Sequence, residues 1–223
     1  MSNSHLLDPR AEIAGLIRNE PVQARSTARL AALLDAAAEV IDEIGYERLT
    51  TAMVAERAGA SIGTVYRYFP DRIAVLQSLA ARNAERIMGR VDEALRDPSH
   101  ETAVDALRAC QQIIIDAYRD EPGYASLRLG DVLDLRPATA SPMNAVLADH
   151  LHRALVERFG IPDTEDARIA FQATIEANDA LVARAFARDR KGFRPFIDMG
   201  GIATRELLVD YVPDMPLRPT IKL

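Results

Sequence analysis

The sequence predicts an all-α protein, an N-terminal three-helix unit followed by a larger helical domain, with about nine or ten helices in total. Three observations carry this expectation. Apolar residues recur at i, i+3, i+4 and i+7 in segment after segment. Gly, Pro and Ser/Thr/Asp stand between those segments as helix starts and stops. The composition is 48% hydrophobic but only 5% aromatic, with no Trp, which suits alanine-rich helices in close contact.

The elements follow in order. Residues 1–24 form an extension in which Ala11 to Arg18 can make a short helix, broken by Pro21. Arg18, Arg25 and Arg29 are placed for a DNA-facing arm, the alternative being a frayed, solvated terminus. Residues 26–44 are the first strong helix, with Leu30, Leu33, Leu34, Ala37, Val40, Ile41 and Ile44 as its stripe and Gly45 at its end. Tyr46 and Leu49 are expected beneath it. Thr50 or Thr51 can cap the next, short helix, whose apolar face is Val54, Ala55 and Ala58 and which Gly59 stops. Ser61 caps a second short helix, Ile62 to Phe69, with Val65 and Phe69 turned to the core. Two short helices joined by a turn of about three or four residues make a helix-turn-helix, whose second helix lies in the DNA major groove.

A long helix over residues 70–96 carries Ile73, Leu76, Leu79, Ile87, Val91 and Leu95. Another spans 101–119, broken by Glu121-Pro122-Gly123. A short helix through Leu127 and an irregular loop with the run RPATASP (136–142) come next, a stretch suited to the mouth of a pocket. Helices at 142–159, 164–190 and 193–211 complete the domain, and the prolines at 213, 216 and 219 give an extended tail over 213–223.

The run AERAGASIGTVYRYFPDRIAVL (55–76), with its G-T-V-Y step, its Y-F pair and the following proline, resembles the signature of the TetR family of bacterial transcriptional repressors. The match runs from about Arg25 to about Leu79. It implies a DNA-binding domain over 25–72, a ligand-binding and dimerisation domain over 73–212, and release of DNA by a small-molecule effector. It also implies residue roles. Thr51, Tyr66 and Arg72 match family positions that hold the DNA backbone, with arginine replacing the commoner lysine at 72. Such contacts fix register without reading sequence.

Base reading falls to Ser61, Ile62, Gly63, Thr64, Arg67 and Tyr68. Ile62 and the Thr64 methyl can meet thymine methyls, and Arg67 can reach a guanine or a phosphate. Alanine at 52 removes a polar reader that the family often has. Gly63 costs the helix about 1 kcal/mol relative to alanine and lets the backbone approach DNA closely. Together these imply a double-stranded operator of near-palindromic form, bound by a homodimer.

For the second domain the resemblance implies a small-molecule pocket. Asn178 and Asp179 interrupt the stripe of Phe171, Ile175 and Val182, and buried polar groups need partners. The partner is a ligand, or another helix or subunit. Gln111, Tyr118, Tyr124 and Gln172 are further candidates, and the many aliphatics point to an apolar effector. In the family the last two helices pair with the same two helices of a second subunit. Ala167, Ala170, Thr174, Ala177, Leu181 and Ala185 give a small-residue stripe that permits this.

Charge is a counterweight. Residues 1–72 hold eight arginines against ten acids, although 48–72 hold four arginines against two. The acidic sum keeps open an adaptor whose helix-turn-helix does not bind DNA. A helical-bundle enzyme is the third reading. Its histidines would be His5, His100, His150 and His152, but Glu-x-x-His and His-Glu-x-x-His spacings are absent. No catalytic residue, metal site or cofactor is expected. Cys110 is the only cysteine, so no internal disulfide or Cys-based zinc site arises. With no apolar run of membrane-spanning length and no basic region followed by an apolar one at the N-terminus, no membrane partner and a cytoplasmic location are expected.

Overall fold

The computed structural model describes residues 24–127 and 143–215. Eight α-helices are present among them, somewhat fewer than the nine or ten expected, together with two 3-10 turns. They are α1 (Ala24–Ile44), α2 (Thr51–Arg57), α3 (Ile62–Tyr68), α4 (Arg72–Arg96), α5 (Ala103–Asp120), α6 (Met143–Phe159), α7 (Glu165–Arg188) and α8 (Arg194–Leu208). The turns are Tyr46–Arg48 and Tyr124–Ser126. A single 3-10 turn therefore stands where a short helix through Leu127 was expected. The helix over 11–18, the loop 136–142 and most of the 213–223 tail lie outside the described residues.

Helix ends follow the capping chemistry of the sequence. Thr50, not Thr51, caps α2, its Oγ1 accepting the Met53 N–H at 3.2 Å. Ser61 caps α3 by accepting the Thr64 N–H at 3.1 Å. Asp71 caps α4, its Oδ1 accepting the Ala74 N–H at 2.8 Å, so the long helix starts two residues after Pro70. Thr164 caps α7 by accepting the Ala167 N–H at 3.2 Å, and Glu165 and Asp166 in its first turn suit the positive end of the helix dipole.

The chain divides into two compact units. The first contains residues up to Arg86 and, from later in the chain, the segment beginning at Glu121. It thus extends past residue 72 along α4 and takes in 121–127. Leu33, Ala37, Val40 and Ile41 of α1 pack with Leu49, Val54, Val65, Phe69, Val75, Leu76, Leu79 and, from the distant segment, Leu127. Gly123 donates its N–H to Asp42 Oδ1 at 3.3 Å, and Tyr124 is buried. Arg82 of α4 ties to α1 through Asp35 Oδ1 (2.6 Å) and the Leu34 carbonyl (3.5 Å).

The second unit holds the rest of α4 with α5 to α8. Its core includes Ile87, Val91, Leu107, Leu151, Leu155, Phe171, Val182, Phe186 and Leu208. Tyr118 stacks on Phe186 with centroids 5.3 Å apart. Arg158 closes the end of α4 by donating to the carbonyls of Leu95, Asp97 and His100. Cys110 is buried here, and desolvation pushes its thiol up to about 12. It is a small apolar core residue without thiolate character.

Candidate nucleic-acid interface

The helix-turn-helix is built from α2, the turn at 58–61 and α3. Val54 and Ala55 on α2 and Val65 on α3 are buried and fix the two helices to α1. What this packing leaves outward is the candidate interface. Ile62, Tyr66 and Met53 are 43%, 53% and 38% exposed, and Ser61, Gly63 and Arg67 are exposed as well.

Several of the residues singled out from sequence have partners within the motif. Thr51, at the first position of α2, points its Oγ1 at the Tyr66 hydroxyl at 3.4 Å. Two proposed backbone contacts are thereby brought together across the two helices. Ser61 Oγ and Thr64 Oγ1 are hydrogen-bonded at 2.9 Å. Tyr68 is half-buried, its hydroxyl 3.1 Å from Ser26 Oγ on α1, and the Arg67 guanidinium lies over its ring at 5.4 Å. Arg72 Nη1 donates to the carbonyls of Tyr46 (3.3 Å) and Glu47 (2.8 Å). It therefore fastens the 3-10 turn that leads into α2.

One electrostatic feature was not read from the sequence. Arg57, counted among the positive charges of the motif, forms ion pairs with Glu43 (2.7 Å) and Glu39 (3.2 Å) of α1. These acids recur four apart on α1, so one helix face brings both to one guanidinium. The hydrogen bond from Arg57 holds the Glu43 carboxyl below its ordinary value. The bonds to Glu43 and then Glu39 raise Arg57. A carboxyl held low contributes to stability at neutral pH, and that contribution is lost as pH falls through its folded-state value. The pairs are exposed, so they add little stability, but they cancel charge beside the motif. Replacing both acids by glutamine is expected to strengthen binding to duplex DNA and steepen its salt dependence, with little change in melting temperature; salt titration of affinity checks this.

In the second unit the candidate ligand residues meet one another. Gln111 Nε2 donates to Asn178 Oδ1 at 2.9 Å. Asn178 Nδ2 donates to Thr204 Oγ1 at 2.8 Å and to the Thr174 carbonyl at 3.0 Å. The Tyr118 hydroxyl donates to Asp179 Oδ1 at 3.2 Å. Asn144, which sequence reasoning missed, reaches Glu176 at 3.1 Å and Asp179 at 3.5 Å. Its signal was faint, one polar residue on a helix start. Gln172 is exposed, and Tyr124 belongs to the first unit, so neither joins this network.

Of the small-residue stripe on α7, Ala167, Thr174 and Ala185 are buried within the protomer, and Ala170, Ala177 and Leu181 are half-buried. Thr174 turns its hydroxyl back to the Ala170 carbonyl at 2.8 Å. Ile169 and Met199, on α7 and α8, are 55% and 48% exposed. The histidines of this unit have structural partners. His100 Nδ1 lies 2.8 Å from the Ala94 carbonyl, His150 Nε2 lies 2.6 Å from Asp92, and His152 Nε2 lies 3.0 Å from the Pro162 carbonyl. Among the described residues, no helix is long and apolar enough to cross a membrane.

Comparison with known proteins covers both units. Residues 33–79 match the model of bacterial regulatory proteins, tetR family. Residues 101–211 match that of the tetracyclin repressor-like C-terminal domain. The HTH-type transcriptional repressor KstR of Mycolicibacterium smegmatis is 42% identical over 62 residues, 28% of this chain and 30% of KstR. The nucleoid occlusion factor SlmA of Haemophilus influenzae is 27% identical over 114 residues, 51% of each chain. The chain thus spans about a third of the first curated relative and half of the second. The crystal structure of a TetR-family transcriptional regulator from Streptomyces coelicolor is 30% identical, with a TM-score of 0.66, over 82% of this chain and 98% of that one. A likeness that runs through nearly the whole of that regulator, with one family model matching as far as the first turns of α4 and the other matching after it, means that this chain belongs to the TetR family of bacterial regulatory proteins.

Proposed function

We propose that the protein is a transcriptional repressor that binds a near-palindromic operator as a homodimer in the cytoplasm and leaves it when a small, apolar effector binds. The observation that carries this reading is the outward face of the capped helix-turn-helix. Thr51 and Tyr66 stand together at the start of α2 and on α3, where hydroxyls meet phosphates, and Ile62 and Gly63 open the helix that enters the major groove. The exposed aliphatics Ile169 and Met199 on α7 and α8 favour pairing with a second copy. Two-fold symmetry then places half-sites about one helical turn apart, roughly 34–36 Å. The effector acts by preferring a different conformation from the operator, a coupling of about 1–3 kcal/mol.

Selection of bound fragments from random duplex DNA by the purified full chain tests the reading. Enrichment of one inverted repeat is expected. A folded, dimeric protein that enriches nothing would favour the adaptor, for which the neutralised Arg57 is the supporting observation. With an operator in hand, Tyr66→Phe is expected to weaken binding to every sequence without changing the salt slope, because the hydroxyl carries no charge. Arg72→Ala should weaken binding and flatten the slope of log affinity against log salt by about 1 per protomer. An unchanged slope in Arg72→Ala assigns that side chain to the Tyr46–Arg48 turn alone.

A further inference from the structure

We propose that the protein reads its operator mainly through thymine methyl groups, with Ile62 seated on the 5-methyl of one thymine in each half-site. The inference rests on the DNA-binding reading above and names what the first turn of α3 recognises.

The first residues of a recognition helix are those that meet base edges. Here their polar groups already hydrogen-bond within the motif. The hydroxyls of Ser61 and Thr64 are hydrogen-bonded to each other at 2.9 Å, and Ser61 Oγ also accepts the Thr64 N–H. They hold the helix start together. Gly63 brings no side chain, and a Cβ built there would find only Ser61 Oγ, 3.9 Å away. Tyr66 lies a turn further on with its hydroxyl toward Thr51, and Arg67 lies back over the Tyr68 ring.

What protrudes at the tip is Ile62, 43% exposed. On α2 the exposed neighbours in sequence to the cap are Ala52 and Met53, which are likewise apolar. Ile62, Ala52 and Met53 thus give the exposed face of the two helix starts an apolar component beside its polar residues. Among base edges in the major groove, the thymine C5-methyl is the apolar feature. The absent side chain of Gly63 lets the backbone come close enough for the neighbouring isoleucine to touch it.

Burying one methyl against Ile62 corresponds to about fourfold in affinity per half-site, and about fifteenfold for a symmetric pair. The test uses the purified chain and its selected operator, with each symmetric pair of thymines replaced in turn by deoxyuridine, which pairs identically but lacks the methyl. One pair is expected to lose about fifteenfold. Ile62→Ala should bind the thymine operator less tightly and show less than a twofold penalty for deoxyuridine at that pair. Ile62→Val should retain part of the penalty. Placing 5-methylcytosine at the same position should bind more tightly than cytosine for the native protein only.

The exposed position of Ile62 keeps these variants folded, and their melting temperatures verify it. Native affinity that is within twofold for thymine and deoxyuridine at every pair overturns the proposal. So does a deoxyuridine penalty that persists unchanged in Ile62→Ala. An enriched inverted repeat with no deoxyuridine penalty sinks this inference alone, whereas a failure to enrich any duplex sinks the DNA-binding reading beneath it.

Discussion

Gly123→Ala is expected to destabilise the helix-turn-helix unit by about 3 kcal/mol and to lower its melting midpoint by roughly 10 °C. Two effects add at this position. The residue has φ +71°, where a Cβ costs about 1–2 kcal/mol. An added Cβ would also stand 2.8 Å from the Ala38 carbonyl oxygen and 3.3 Å from Ala38 Cα and Ile41 Cγ2. The first of these is main chain of α1, which cannot rotate away as a side-chain tip can. The segment would have to lift, loosening the Gly123–Asp42 hydrogen bond and the burial of Tyr124 and Leu127. Gly160 is the internal control. It has nearly the same backbone, φ +67°, but nothing lies within 4 Å of its would-be Cβ. Gly160→Ala should therefore cost only about 1 kcal/mol, and the difference between the two variants isolates the close approach. Equal losses in urea unfolding would show that conformation alone governs Gly123.

A consequence for DNA follows from the same turn of α1. Gly123 rests on Ala38, Ile41 and Asp42, while Glu39 and Glu43, one residue along, hold Arg57 of α2. One helical turn is thus gripped by the 121–127 segment on one side and by the first helix of the motif on the other. Gly123→Ala should weaken operator binding even at temperatures where the protein remains folded.

This contact also shows where sequence reading stops. Glu121-Pro122-Gly123 was legible as a helix break, because Pro and Gly act locally. That it docks on α1 was not, since the partner is about 80 positions away and no periodicity records it. The helix-turn-helix was legible for the opposite reason. Its caps at Thr50 and Ser61, its turn and its core residues Val54, Val65 and Phe69 all lie within 20 positions of one another, and each obeys a local rule. Charge fared less well. Arg57 reads as a cation for DNA in a one-dimensional count, and only packing of α1 against α2 brings two glutamates to it. The helices of the second unit were legible as amphipathic, but not which polar residues face each other. Asn178 and Asp179 are adjacent in sequence, yet they turn about 100° apart on α7 and enter two separate groups of hydrogen bonds, one with Gln111 and Thr204 and the other with Tyr118 and Asn144.

The larger of these consequences is at Asn178, where substitution by leucine is expected to cost the second unit about 2–4 kcal/mol with no effector present. The side chain uses both ends of its amide. Oδ1 accepts from Gln111 of α5, and Nδ2 donates to Thr204 of α8 and to a carbonyl of its own helix. Leucine removes these bonds and leaves the Gln111 amide and the Thr204 hydroxyl in a partly buried site with a partner missing, which costs about 1–3 kcal/mol per group when fully desolvated. Shape adds to chemistry. Gly200 of α8 approaches so closely that a Cβ there would stand 2.8 Å from Asn178 Oδ1, so the branched leucine tip meets the α8 backbone. Thr204→Val removes one partner only, and should cost about 1 kcal/mol. The double variant should cost less than the sum, because the Thr204 bond is already lost in Asn178→Leu. If Asn178→Leu instead unfolds in urea within 0.5 kcal/mol of the native chain, the amide is not holding α5, α7 and α8 together. Its conspicuous place in an apolar stripe would then be best explained by a bound effector.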